Sequence, residues 1–218
     1  MKTHTLHERE KHEVVLGVLS ILIVLGVSSS VIAAANWDIY GDAIIGEGDQ
    51  YDDINIFDNA IVTMTGGEVD SIVTHDASNL IVHEGYIRKA DGWGSSAIEV
   101  YGGIFNSIEA SWNSVVNFSG SAETSCVVVE GSGSFNMEDG IVTFIGLWGS
   151  GMTNIRGGVI SDYILASDDS TANIYGYDLS LSTTGGVYGY GEVSGFWEDN
   201  TYFNIDLKSS DVSVTLFL

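Results

Sequence analysis

Four ring-bearing side chains, His75, Trp93, Trp112 and Trp148, recur along the chain at intervals of 18, 19 and 36 residues. Each is followed by Asp, Gly or Asn and then by small residues, which is the composition of a corner rather than of a core. Indoles exposed in a row suit sugar rings, whose C–H faces pack against π-systems, so the pattern points to a glycan-binding strip. The competing reading is that each ring stacks on its neighbours and merely seals the corner.

Carboxylates are the second chemical resource. Asp52-Asp53 and Asp168-Asp169 are acidic pairs, the residue type that binds Ca²⁺ or serves as acid and base on a polysaccharide, but they lie in opposite halves of the chain. Arg88, Lys89 and Arg156 are the only bases between residue 14 and Lys208, and none is expected to have an acidic partner at the equivalent place in the next repeat. His75 and His83 are expected on different faces, which argues against a shared metal. Turns such as Asp58-Asn59, Asp76 and Asp168-Asp169 would suit a structural Ca²⁺, although the glycine-rich nonapeptide that binds Ca²⁺ in stacked rods is absent. No other cofactor is expected. The single cysteine, Cys126, excludes an internal disulfide, and its neighbours Val127, Val128 and Val129 mark it as a small buried hydrophobe rather than a reactive thiol.

These residues are carried by a repeat. IVTMTGGEV (61–69), LIVHEGYI (80–87), IEVYGGIF (98–105), TNIRGGVI (153–160) and ANIYGYDL (172–179) are versions of one phrase. Its second glycine, taken as a marker, falls at Gly48, Gly67, Gly85, Gly103, Ser121, Gly140, Gly158 and Tyr177, with intervals of 19, 18, 18, 18, 19, 18 and 19 and a further candidate at Phe196. A period this constant is that of a solenoid. Five and three residues before the marker stand apolar pairs such as Leu80/Val82 and Ile98/Val100, with polar types between them, among them Glu99, Asn117, Asn136, Asn154 and Asn173. Alternation with period two is a strand with one buried face. Further inward positions are expected two residues past the marker (Val69, Ile87, Phe105, Val142, Ile160 and Leu179, with Glu123 the exception). Others are expected five past it (Ile72, Ala90, Ile108, Cys126, Ile145 and Tyr163).

No helical stripe, leucine pattern or six-residue spacing is present. The fold class read from the chain is therefore all-β: a single-stranded parallel β-helix (β-solenoid) with coils of 18–19 residues, right-handed by the usual crossover preference. The glycines mark a corner that needs positive φ, and Tyr177 predicts a differently shaped one. The solenoid is expected over 36–197, with 36–45 capping its first coil. A C-terminal capping hairpin over 198–218 is expected to turn at Lys208–Asp211. On this frame the two Asp pairs sit about six coils apart and cannot cooperate.

The first 35 residues read differently. Val14–Val27 is an unbroken apolar run, and Ala33 and Ala35 form a small-x-small site, so a signal peptide cleaved before Asn36 is expected. Lys2, Arg9 and Lys11 are matched by Glu8, Glu10 and Glu13, which leaves an uncleaved N-terminal anchor as the alternative. The whole chain holds 30 acids against 7 bases, a net charge of −23. Such a surface repels phosphate backbones and anionic lipid, so nucleic acid is excluded as a partner, and no membrane contact is expected after cleavage.

Phrases such as DASNLIVHEGYI and SDDSTANIYGYDL resemble the repeats of exported bacterial β-solenoid proteins, in style those of autotransporter passengers and more closely those of PEP-CTERM-associated repeat proteins. GFWEDNTYFNIDL (195–207) is similar to the segment that closes the solenoid in the second group. The terminal VTLFL lacks that group's Pro-Glu-Pro, apolar span and basic tail. The resemblance implies location and shape and leaves the chemistry open. The expectation is a non-catalytic structural or adhesive protein, secreted or at the cell surface, with an extracellular glycan or cell-surface component as partner. The alternative is a polysaccharide lyase or glycoside hydrolase on the same scaffold.

Overall fold

The computed structural model describes residues 35–184, 190–209 and 213–217. The expected leader (1–35) lies outside them except for the backbone of Ala35, as does the turn at 210–212. The chain forms a parallel β-solenoid of about eight turns with coils of about 18 residues and an antiparallel region near the C-terminus.

Each coil contributes a short and a long strand, and the two kinds form separate parallel stacks. The short stack includes Ala97–Val100, Val115–Phe118, Ser134–Met137, Met152–Ile155 and Thr171–Tyr175, paired residue for residue. The long stack includes Ile104–Ser111, Glu123–Glu130, Ile141–Leu147 and Val159–Ala166. Ile61–Thr74 and Asn79–Gly92 run through both stacks without a break. The inward columns of the short stack follow the period-two pattern: Leu80, Ile98, Val116 and Phe135 stand in one, Val82, Val100, Phe118 and Met137 in the next, all buried.

The glycine corner follows the short strand. Gly48, Gly67, Gly85, Gly103, Gly140 and Gly158 all have positive φ. At Gly158 a side chain would also meet the Gly140 carbonyl oxygen at 2.7 Å, so the corner demands glycine for space as well as for backbone freedom. One coil is displaced. The residue in line with Gly103 and Gly140 is Ala122, not Ser121, because the loop there holds an extra residue and bends at Gly120 (φ 67°). That shift turns Thr124 inward beside Phe105 and Val142, which accounts for the anomalous Glu123. It also turns Val127 inward and leaves Cys126 half-buried on the outer face, against the sequence expectation of a core cysteine. A bulge between Ile160 and Tyr163 has the same effect two coils later, placing Ile164 rather than Tyr163 in the core.

From Tyr177 the coil gives way to an antiparallel meander. Tyr177–Thr184 pairs with Tyr190–Phe196, which pairs with Tyr202–Ser209. Phe196 is thus the antiparallel partner of Tyr177 rather than a ninth corner. The strands expected on either side of the Lys208–Asp211 turn exist, but they do not pair with each other. The end of Tyr202–Ser209 lies parallel to Val159–Ala166, and Ser213–Phe217 lies parallel to Thr171–Tyr175, so together they make a last coil. At the first coil, Ala43–Ile45 joins the short stack in register and Ala35–Ile39 joins the long stack with a register shift between Ala35 and Trp37. Trp197 is buried, stacks on Phe203 at 3.8 Å, and donates its indole N–H to the Gly158 carbonyl at 3.0 Å. The meander is thereby fixed onto the last glycine corner.

Candidate functional site

The corner that leads from the long strand back to the short one is a four-residue turn, closed by a hydrogen bond from its fourth N–H to its first carbonyl. Ser78 to His75 (3.0 Å), Ser114 to Ser111 (3.1 Å) and Gly151 to Trp148 (3.2 Å) are examples. The second turn residue is left-handed in seven successive coils: Asp58, Asp76, Gly94, Trp112, Gly131, Gly149 and Asp168 all have φ between 56° and 72°. Gly, Asp and Asn accept that conformation most readily, which is why the sequence reads Asp or Gly here. Asp58, Asp76 and Asp168 therefore serve the backbone, and the Asp168 carboxylate accepts the Gly149 N–H at 3.2 Å.

His75, Trp93 and Trp148 occupy the first position of this turn, in a column that runs Tyr40, Phe57, His75, Trp93, Ser111, Glu130, Trp148 and Ser167. Trp112 occupies the second position and stands in the next column. The expected single file of indoles is therefore staggered: the coil keeps an 18-residue register, Ser111 takes the place in line with Trp93, and the indole comes one position later, in line with Gly94. Tyr40 stacks on Phe57 at 5.0 Å and Phe57 on His75 at 4.7 Å, so one face of His75 is covered. Trp148 is half-buried and lies flat on Gly146, where a side chain would occupy its ring. Trp93 is 41% exposed and Trp112 is 62% exposed, and neither stacks on another ring among the described residues. The corner thus holds two open indoles and two covered rings.

The bases do have acidic partners on adjacent coils, contrary to the sequence reading. Arg88 holds Asp70 with two hydrogen bonds, the second at 2.7 Å, and Arg156 reaches Glu138 at 3.3 Å; both pairs are 18 residues apart, one coil. The Arg88 hydrogen bond keeps the Asp70 carboxyl below its usual range. Lys89 lies 2.6 Å from Asp91 and 3.6 Å from Glu109. Asp91 is only 6% exposed, and one of its oxygens has no hydrogen-bond partner, so burial pushes its pKa up in spite of Lys89. Burial, with Glu109 nearby, also raises the Cys126 thiol, which makes it a poor nucleophile. His83 stacks on Tyr101 at the glycine corner, away from His75. Among the described residues no three His, Cys, Asp or Glu side chains are arranged to hold a metal ion.

The outer face of the short stack holds an arrangement that the sequence reading passed over. Asn117, Asn136, Asn154 and Asn173 stand in line, each donating to the coil before, and the series ends on Glu99. Their spacing of 19, 18 and 19 residues was visible as polar filling between apolar pairs. Beside the ladder runs a second outward column, with Tyr101, Ser119, Glu138, Arg156 and Tyr175, and between the two lies a groove of about 520 Å³.

Fold and surface together define a parallel β-solenoid with open aromatic and polar faces. Set against family models, curated proteins and solved structures, the chain matches none of them.

Proposed function

We propose that this protein is a non-catalytic, exported structural or adhesive module that recognises glycans through the indoles of its turn corner. The observation that supports this most is Trp112. It is the most exposed of the described indoles, and it stands in a column otherwise held by Gly and Asp. A bulky residue in the left-handed region is strained by roughly 1–2 kcal/mol, and such strain gathers where a side chain has a task. Its column neighbours Gly94 and Gly131 carry no side chains that could stack on the ring. Trp93 lies diagonally behind it and offers a second ring. Two open indoles on neighbouring coils form a platform for the C–H faces of adjacent sugars.

Export is supported by the apolar run Val14–Val27 and its small-x-small site. The test is a glycan array on the full chain, followed by titration of any hit with Trp112→Ala and Trp93→Ala. Loss of binding in both variants with unchanged melting supports the corner platform. Binding that survives the double substitution removes it. Release of reducing ends from a polysaccharide panel would favour the enzyme reading instead.

A further inference from the structure

The asparagine ladder is a one-way chain. Each amide nitrogen donates to the side-chain oxygen of the coil before it, at 2.7 to 2.9 Å, from Asn173 through Asn154, Asn136 and Asn117 to Glu99. A side-chain amide carries two N–H donors and an oxygen with two lone pairs. The ladder uses one donor of each amide and one lone pair on each of the three inner amides, leaving every amide a free donor and acceptor among the described residues. Asn117, Asn136 and Asn154 are only half-buried, so these groups border the groove. The floor is therefore a polar strip whose pattern repeats at the strand spacing of about 4.8 Å.

The wall is of mixed character. Tyr101, 49% exposed and backed by His83 at 5.3 Å, stands near one end. Tyr175 stands at the other, with the Arg156 guanidinium 4.2 Å above its ring. Arg156 is the only cation in the lining and is engaged by Glu138, while Glu99 adds a second carboxylate.

We propose that this groove binds a neutral, extended β-linked glycan lying along the stacking axis. Three features select that ligand. Hydroxyl groups both donate and accept, as the spare amide groups require. A pyranose in an extended β-linked chain advances by close to one rung, whereas two residues of an extended peptide advance about 6.6 Å and fall out of step. Two carboxylates against one engaged guanidinium, on a chain of net charge −23, repel acidic polymers. The groove is separate from the indole corner: the corner turn precedes each short strand, and the groove wall follows it.

Titration calorimetry of the full chain with soluble cello- and chito-oligosaccharides of increasing length tests the proposal. Affinity should rise with chain length until the five-rung ladder is filled and then level off. Tyr101→Ala should weaken binding by roughly tenfold. Tyr101 is exposed, so this variant should melt like the parent, and Tyr101→Phe should retain the affinity because the ring is what stacks. Tyr202→Ala, at an exposed ring outside both the corner and the groove, should leave the affinity unchanged. Failure of every neutral oligosaccharide to bind overturns the proposal, as does affinity indifferent to Tyr101→Ala or preference for an extended peptide. Binding lost in Trp112→Ala alone overturns the groove and keeps the corner. Binding lost in Tyr101→Ala alone does the reverse.

Discussion

Trp112 stands in register with Gly94 on the coil before it, and both backbones are left-handed, with φ of 61° and 72°. Glycine adopts this conformation freely, while a residue with a Cβ is strained there. Trp112→Gly should relieve the strain, and after the greater freedom of glycine in the unfolded chain is subtracted the net gain should be roughly 0.5–1 kcal/mol. Trp112→Ala keeps the Cβ and should stay within about 0.5 kcal/mol of the parent. Urea midpoints of the two variants decide the matter. A glycine variant less stable than the alanine variant would mean that Trp112 is not strained.

The glycine corner makes a graded prediction. Gly48 has φ of 87° with open space where a side chain would begin, so Gly48→Ala should cost only the backbone strain, about 1–2 kcal/mol. Gly140 has φ of 95°, and a Cβ there would lie 2.6 Å from the Phe118 ring and 2.7 Å from the Ala122 carbonyl oxygen. Gly140→Ala should therefore cost about 3 kcal/mol or more, since overpacking adds to strain. Equal losses in the two variants would show that the coils do not press on one another at this corner.

The glycine spacing made the solenoid legible because stacked coils repeat the same steric demand at each corner. What could not be read was how a 19-residue coil spends its extra residue. In one coil it enters the glycine corner, which moves the marker from Ser121 to Ala122, turns Val127 inward and puts Cys126 outside. Trp112 is a different case: nothing is inserted between it and Gly94, and the indole simply occupies the second turn position where Trp93 occupies the first. A count along the chain gives the coil length but not the place of the insertion, because Cys126 and Val127 both suit a buried position. The ion pair Arg88–Asp70 was readable, being one period apart. The asparagine ladder was readable in spacing, but its function as a groove floor depends on the column beside it. That column mixes aromatic, hydroxyl, acidic and basic residues and leaves no periodic signature.

Lys89 ties two carboxylates on neighbouring coils, and Asp91 is the buried one. Burial pushes the Asp91 pKa up, the Lys89 hydrogen bond and charge pull it back, and Glu109 adds to the rise. For Lys89 burial alone would lower the pKa, but the hydrogen bond to Asp91 and the charges of Asp91 and Glu109 outweigh it, so the amine is held up. A carboxyl with a raised folded pKa contributes its stability at acid pH and loses it as pH rises through the folded value. A raised lysine keeps its contribution until the pH climbs above the usual amine range. Lys89→Met leaves Asp91 without its cation. At neutral pH this should destabilise by about 2 kcal/mol, below the usual figure for a broken buried pair because the lysine is partly exposed. The deficit should shrink as pH falls and Asp91 takes up a proton. Denaturation at pH 7 and pH 5 would show this, and an equal deficit at both would mean that Asp91 is not charged in the parent.

Asn136 is the rung at which the ladder is most exposed to a change of chemistry. It donates to Asn117 at 2.7 Å and accepts from Asn154 at 2.8 Å. Asn136→Asp preserves shape and keeps the acceptor, but an ionised carboxylate has nothing to donate. Two acceptor oxygens would then face each other above Asn117, which itself donates to Glu99. The loss should be about 1–3 kcal/mol at neutral pH, the cost of a part-buried acceptor pair left unbridged. Protonation restores a donor, so the new group's pKa should be raised in the folded state, and stability should return as pH falls through that value. Asn136→Ala removes both contacts and should show no such recovery. If the two variants lose the same stability at every pH, the amides do not hand hydrogen bonds from coil to coil, and the groove above them has no ordered floor on which a sugar chain could lie.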